Sequence, residues 1–286
     1  MFNLGGTYLS YKFIFDTSAI DFNNIAKLKD AGIEKYCLNG KLSFYLTPPL
    51  LNETADFIPE KPITEKIKSI LTFLIDLKHT KIFNEISGSQ GIFTKELEGA
   101  VQKKDLFTGY NYLVDGLSQI VSGRTFTEEE KEELRKYKNV RKEVKLRNKE
   151  AYLEIREKHR PAQDFLFEDF LKLQFENWAI AKINKSINST KPKHKLVTFW
   201  KAHKELCPYF NKFIEGEMFT VWASQQLRDI PIDTNALDDI EHLVYLTGID
   251  GIISNDRNFM KYASKALFPN KDYLTVDQYI QFLKSF

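Results

Sequence analysis

The grouping of apolar and polar positions divides the chain into three stretches of different rhythm. In the first, Tyr11-Lys12-Phe13-Ile14-Phe15 is aromatic and β-branched and stops at Asp16, which predicts a strand feeding a loop. Leu42 to Thr47 predicts a second strand, ended by Pro48 and Pro49 and followed by a short helix over Leu50 to Phe57. Between Ile63 and Leu77, apolar residues at Ile67, Ile70, Leu71, Leu74 and Leu77 fall at the spacing of one helix face, and Lys81-Ile82-Phe83 predicts a third strand.

The second stretch, residues 88–224, reads as helical and far more charged. Thr127-Glu128-Glu129-Glu130 has the form of a capped helix start, with acids where the helix dipole favours them. The run to Arg160 is dense in Lys, Arg and Glu and ends at Pro161. Gln163 to Ile187 is an aromatic amphipathic segment whose Phe165, Phe167, Phe170, Phe175 and Trp178 are expected in a core. Ser189 to Lys193 reads as a loop, and Thr198 to Gln226 as helix interrupted at Pro208.

The third stretch returns to an α/β alternation. Thr234 to Leu246 predicts a helix, Gly251-Ile252-Ile253-Ser254 a short buried strand, Arg257 to Leu267 a helix, Tyr273 to Val276 a strand and Asp277 to Phe286 a closing helix. Strands alternating with helices predict an α/β fold of three layers, a central mostly parallel sheet covered on both faces. Residues 1–87 and 225–286 are expected to form that domain, and 88–224 a long helical insertion in it.

The 286 residues suffice for a substantial core, and 23 Phe predict one rich in aromatic packing. A formal net charge of +2 neither demands nor excludes a nucleic-acid partner, so any basic surface has to be local. Cys37 and Cys207 stand too far apart for a metal-binding spacing and are expected as free thiols in a reducing compartment. Met1 to Tyr11 lacks the form of a secretory signal, and no apolar run approaches the length of a membrane span. The expectation is a cytoplasmic protein with no membrane partner.

Candidate chemistry lies in acids at the carboxyl ends of predicted strands, where α/β sheets gather their sites. Asp16 ends the first strand and Asp256 follows the strand at Ile253, while Glu53 sits in the helix after the second strand and Asp238 and Asp239 in the helix leading into the later one. Carboxylates converging in a partly desolvated cleft repel one another, and a divalent cation relieves this. Mg²⁺ and Mn²⁺ suit carboxylate and water oxygens and can steady the charge on a phosphodiester. Each acid also has a plainer role open to it. Asp16 and Asp256 could cap the helical turns that follow, Glu53 could be solvated, and Asp238 and Asp239 could simply favour a helix dipole. His242, among Tyr245, Leu243 and Leu246, reads more readily as a packed, hydrogen-bonded histidine than as a ligand, and His159 and His194 as surface residues.

Ile14-Phe15-Asp16-Thr17-Ser18-Ala19-Ile20 resembles the opening strand and first catalytic acid of PIN-domain nucleases. Asp239-Ile240-Glu241-His242, followed by Gly251-Ile252-Ile253-Ser254-Asn255-Asp256-Arg257-Asn258-Phe259, resembles their closing block, and Tyr45-Leu46-Thr47-Pro48 with Glu53 their second strand and acid. The resemblance implies a three-layer PIN-like fold and metal-dependent hydrolysis of phosphodiester bonds, with RNA favoured over DNA as the substrate and the choice between them left open by the sequence. By position, Asp16, Glu53, Asp239 and Asp256 form the acidic cluster holding Mg²⁺ or Mn²⁺, with Asp239 preferred to Asp238. Ser254 supports the last acid, and Ser18 and His242 are secondary residues. Small relatives in that family are often toxins with a cognate antitoxin, and many are dimers, so an inhibitor protein and a second copy of the chain are candidate partners. The resemblance leaves 88–224 without a counterpart.

Two basic groups in that middle stretch are candidate nucleic-acid contacts. Arg141, Lys142 and Lys145 belong to a charged run that reads either as a solvated helix stitched by Glu–Lys pairs or as a phosphate-contacting arm. Lys191, Lys193 and Lys195 stand near Phe199 and Trp200, a pairing of charge with stacking rings that suits single strands. Two alternatives remain open. One is a non-catalytic RNA-binding or interaction module on a PIN-like scaffold. The other is a haloacid-dehalogenase-type phosphatase, which would want an acid where Ser18 stands and a Lys before the final acids.

Overall fold

A computed structural model of the protein describes residues 10–55, 65–79, 83–85, 88–100, 111–158, 165–227, 229–230 and 235–285. Among these, five strands form one sheet: β1 (Tyr11–Phe15), β2 (Leu42–Leu46), β3 (Phe83–Glu85), β4 (Gly251–Ile253) and β5 (Asp272–Leu274). Their order is β3-β2-β1-β4-β5 and every pairing is parallel, so the sheet is wholly rather than mostly parallel. The strand order reverses at β1, with β2 on one side and β4 on the other. Such a reversal, here at the carboxyl ends of β1 and β4, is where open α/β sheets place their ligands.

The period-two alternation of β1 assigns its side chains to two helical layers. Phe13 and Phe15 face the layer of α1 (Phe22–Asp30), α2 (Ile33–Leu38), α3 (Pro48–Ala55), α4 (Glu65–His79), α6 (Asn111–Val121) and α13 (Val276–Leu283). Phe15 stacks on Phe44 with ring centroids 4.7 Å apart, and Tyr279 packs edge-on to Phe13 at 5.1 Å. Ile14, with Tyr45 of β2 and Ile252 of β4, faces the opposite layer of α5 (Ser89–Leu97), α7 (Glu128–Lys158), α8 (Phe167–Ser186), α9 (Lys193–Ala202), α10 (Pro208–Gln226), α11 (Ala236–Val244) and α12 (Phe259–Leu267). The expected fold class thus appears as an α/β sheet between two helical layers.

Residues 88–224 supply most of one layer and, through α6, part of the other. The boundary drawn at 224/225 falls inside α10, which runs through it unbroken. Gly216 lets α10 approach α11 closely, since a Cβ there would lie 2.3 Å from Ile240 Cγ2. Gly251 admits Phe13 and Asp272 in the same way within the sheet, its would-be Cβ 2.6 Å from Phe13 Cε1.

Several expected boundaries shift for local reasons. Pro208 starts α10 instead of interrupting a helix, because a proline suits a first helical turn. Thr127 and Glu130 do form a reciprocal cap, Glu130 N–H donating to Thr127 Oγ1 (3.2 Å) and Thr127 N–H to the Glu130 carboxylate (2.9 Å). The helix expected from Arg257 begins at Phe259, and α9 begins at Lys193, inside the expected loop. The helix expected over Thr234 to Leu246 is α11 followed by a 3-10 turn over Tyr245–Gly248. Residues 56–64, 81–82, 159–164 and 231–234 lie outside the described residues, including His159, Pro161 and Thr234.

One buried acid organises the start of α10. Glu96, 2% exposed, accepts the N–H groups of Tyr209 (3.0 Å) and Phe210 (2.8 Å), two of the orphan donors of that helix. Burial pushes its carboxyl up to about 7 despite those two bonds. Replacing Glu96 by Ala should cost about 1–3 kcal/mol in urea unfolding, because two buried donors lose their acceptor. The sign of the pH effect follows from the raised value. The protonated acid favours the fold below its unfolded pKa, and that contribution fades as pH rises through about 7. Glu96→Gln should therefore flatten stability between pH 5 and 8, and an unchanged slope would count against this assignment.

Candidate active site at the carboxyl edge of the sheet

Asp16 is the first residue after β1 and is only 6% exposed. Its backbone N–H bonds to the Ile253 carbonyl at 2.9 Å, so β1 and β4 stay in register to this point. A buried carboxylate needs donors. Asp16 Oδ2 receives the Ser18 hydroxyl, the Ser254 hydroxyl at 2.8 Å and the Ser18 backbone N–H at 3.3 Å. Asp16 thus does cap the 3-10 turn Thr17–Ala19, and it also joins two strands.

Ser254 is fully buried and fully used. Its hydroxyl donates to Asp16, accepts the Asp256 N–H at 3.0 Å and lies 3.0 Å from the Tyr273 hydroxyl. Tyr273 donates to the Asp256 carbonyl at 2.7 Å. Asn255 ties the turn to both neighbours: its N–H donates to Ser18 Oγ (2.9 Å), and its side-chain oxygen accepts from the N–H of Val276 (3.1 Å), the first residue of α13. Asp256 is half-buried and its carboxylate accepts the Asn258 N–H at 2.5 Å.

The other oxygen of Asp16 faces Glu53 and His242. Thr17 Oγ1 donates to the Glu53 carboxylate and lies 3.5 Å from Asp16 Oδ1, so one hydroxyl links the two acids. Burial raises the Glu53 carboxyl; the Thr17 bond lowers it, Asp16 raises it again, Lys145 opposes that and Asp238 adds to it. His242 is 2% exposed, its Nδ1 is 4.0 Å from Asp16 Oδ1 and its Nε2 is 2.6 Å from Thr47 Oγ1. Burial lowers its pKa against the pull of Asp16, Asp238 and a hydrogen bond to the Phe15 carbonyl. A neutral ring that donates to that carbonyl accepts the Thr47 proton at its other nitrogen. The packed role expected for His242 is present, and it packs against the first acid.

Asp238 and Asp239 diverge by about 100°, as adjacent helical residues must. Asp238 turns to α7, where its Oδ2 takes Arg141 Nη2 at 3.1 Å and Lys145 Nζ at 2.6 Å. Lys145 Nζ also donates to Asn235 Oδ1 at 2.8 Å. Asp239 bears on the other side: burial pushes the Tyr273 hydroxyl up, and the charges of Asp256, Asp16 and Asp239 push it further. Among the described residues, no three His, Cys, Asp or Glu side chains are set around one point as metal ligands.

The basic candidates part company. Arg141 and Lys145 turn inward, with side chains 14% and 19% exposed, whereas Lys142 is exposed. Lys191 Nζ donates to the Glu98 carbonyl at 2.6 Å and Lys193 to that of Ile187, while Lys195 and His194 are exposed. The stacking expected of Trp200 is overturned. Leu196 and Trp200, one turn apart on α9, both point inward, and Trp200 is fully buried with its Nε1 donating to Asn211 Oδ1 at 2.8 Å. Of the aromatic series on α8, Phe167 is buried, and Phe170, Phe175 and Trp178 pack against the core as expected.

Thr17, Thr47, Asn255 and Tyr273 belong to this network and were not singled out from sequence. The only signal for them was position, since each lies within two residues of a strand's carboxyl end. Cys37 and Cys207 are buried free thiols, each pushed up to about 12 by burial, which keeps them protonated and unreactive. Among the described residues, no helix is long and apolar enough to cross a membrane.

Two measurements follow. Ser254→Ala removes a buried donor from Asp16 and the acceptor of the Asp256 N–H, and should cost about 1–3 kcal/mol in chemical denaturation; a silent substitution would show that the network does not hold the two strand ends. The ring of His242 should titrate below the ordinary histidine value in a proton NMR titration, so that its protonation destabilises the fold as pH falls under about 6.5. Comparison with protein-family models, with curated proteins and with solved structures finds no match to this chain.

Proposed function

We propose that this chain is a metal-dependent nuclease on a PIN-like three-layer scaffold, hydrolysing phosphodiester bonds of RNA in the cytoplasm. The observation that carries the reading is the junction at the strand-order reversal, where the first acid of the chain and the Ser254-Asn255-Asp256 turn, 238 residues from Asp16 to Ser254, share a hydroxyl-bridged network. Acids at the ends of two adjacent parallel strands, with Glu53 linked through Thr17, form the kind of carboxylate-lined crevice that the sequence resemblance implies.

The donor chemistry fits Mg²⁺ or Mn²⁺. Asp16 Oδ1 and Glu53 offer oxygen donors on the same side of Thr17, and Asp16 helps to raise the Glu53 carboxyl, a repulsion that a cation relieves. Mg²⁺ keeps several waters and is commonly held by one or two carboxylates together with substrate phosphate, so a ring of three protein ligands is not required. Asp16 and Glu53 would hold the ion, with Asp239 and Asp256 on the Tyr273 side of the same edge. When bound, it would supply positive charge to the scissile phosphate and lower the pKa of the attacking water.

The protein's own groups have separable tasks. Ser18 and Ser254 fix one oxygen of Asp16 and leave the other toward Glu53. Neutral His242 fills the space behind Asp16 and excludes water without adding charge. Ser18 stands where a haloacid-dehalogenase phosphatase would place its second acid, and its hydroxyl is spent on Asp16 and the Asn255 N–H.

Asp16→Asn and Asp256→Asn should each abolish Mn²⁺-dependent cleavage of single-stranded RNA while circular dichroism shows an intact fold. Full activity in the folded double variant would end the proposal. RNA binding without cleavage by the wild-type chain in Mn²⁺ would point instead to a non-catalytic RNA-binding module.

A further inference from the structure

The long helix α7 buries only Tyr152 and leaves Val140, Val144 and Leu146 exposed, yet it is fastened to the body by cations at two places. Near its end, Arg156 donates to the carbonyls of Ser224 and Ile230, both at 3.1 Å, closing the carboxyl end of α10. At its middle, Arg141 and Lys145 converge on a single oxygen of Asp238. Two cationic groups aimed at one oxygen from adjacent helix turns suit a phosphate oxygen as well as a carboxylate one.

The surroundings suit a nucleotide strand. Between Lys138 and Lys149 the helix holds six basic residues against the one acid Glu143. Lys138, Arg141, Lys142, Lys145 and Lys149 fall on one side of it at three- and four-residue spacing. The twelve residues span about 18 Å, over which one strand of a duplex presents about five phosphates. The cleft between α7 and α11 has a volume of about 190 Å³, and Val140, Val144, Asn148 and Leu237 line it beside the charged pair, together with Glu241, whose carboxyl burial pushes up to about 7. Val140 and Val144 are 59% and 44% exposed, an apolar wall for sugar and base rather than for free phosphate. The helix that lines the cleft also reaches the acids, since His242, one turn beyond Asp238 on α11, lies 4.0 Å from Asp16 Oδ1.

We infer that Arg141 and Lys145 form a phosphate-binding subsite for a single nucleic-acid strand, and that Asp238 occupies it in the free protein as an internal stand-in for the phosphate. The inference rests on the nuclease reading for its substrate class. Asp238 is then no metal ligand but a mask, which an entering strand displaces. The displacement is a local exchange, because the three side chains keep 14–24% exposure and a strand phosphate would take the place of one carboxylate between the same two cations.

The test is binding of a fluorescein-labelled single-stranded oligoribonucleotide in EDTA, measured by anisotropy across a salt series, so that cleavage plays no part. Arg141→Ala with Lys145→Ala should weaken binding about tenfold and lower the slope of log affinity against log salt by about 1.4, the share of two phosphate contacts on a single strand. Asp238→Asn, the milder change, should tighten binding several-fold. Unchanged affinity and slope in a folded double variant would overturn the inference, as would Asp238→Asn that fails to tighten. Loss of Mn²⁺-dependent cleavage in Asp238→Asn without tighter binding in EDTA would assign that acid to the cation and overturn it too. So would tighter binding by Asp238→Asn of a polyglutamate peptide but not of the oligonucleotide. The expected binding pattern in a wild-type chain that cleaves nothing would leave the subsite standing and sink only the nuclease reading.

Discussion

A carboxylate that barely reaches water sets the terms for the carboxyl edge of this sheet. β1 is central and covered on both faces over Phe13 to Phe15, all fully buried, and Asp16, the next residue, emerges where only 6% of its surface meets solvent. An isolated buried charge costs several kcal/mol, and hydroxyl and amide donors have to be gathered from elsewhere to offset it. They come from the turn that follows in Ser18 and from the neighbouring strand in Ser254. Ser254 is then fixed by Asp256 N–H and Tyr273, and Asn255 extends the same network to the start of α13. Three chain segments far apart in sequence are thereby held in one register by the needs of a single side chain.

The highly charged middle of the chain is not a separate solvated body. α10 passes from it into the closing segment and packs Phe210, Phe213, Met218 and Phe219 into the core shared with Ile14 and Ile252. Even α7, with its low apolar content, gains contacts through the long stems and charged heads of Arg141, Lys145 and Arg156. Glu96 completes the pattern from the other direction, an acid buried among aromatics because a helix start needs acceptors. Polar side chains in this layer therefore act chiefly as caps and clasps.

Sequence alone revealed the features that depend on short-range pattern. The strands at Tyr11–Phe15, Leu42–Leu46 and Gly251–Ile253 were legible from β-branched and aromatic runs, and so were the acids that follow them and the Thr127–Glu130 cap. The short α1 and α2 were not, though Asp21 capping the Asn24 N–H at 2.9 Å was a usable signal. Trp200 was misjudged because nearby lysines suggested an exposed ring, while its one-turn spacing from Leu196 marked it as core. Which of Asp238 and Asp239 faces which way was beyond reach, because that depends on where α7 lies and no local pattern encodes it. Thr47 and Tyr273 escaped for the same reason: their partners, His242 and Ser254, are 195 and 19 residues away.

The adjacent aspartates of α11 show how one turn of helix divides charge between two neighbours. The step of about 100° between them sends Asp238 to the cations of α7 and Asp239 toward the Tyr273 and Asp256 side of the sheet edge. Glu53 lies between these influences, its carboxyl raised first by burial and then by Asp16 and Asp238, and lowered by Thr17 and Lys145. The acids are thus not one undivided pool of negative charge. Asp238 is already compensated by the cations of α7, and Asp16 and Asp256 are supported by hydroxyl and amide donors. On the nuclease reading proposed above, an edge compensated in this uneven way would offer a polyanion a cationic approach along α7 while keeping carboxylate oxygens beside it for a divalent ion, two requirements that a uniformly acidic edge could not meet together.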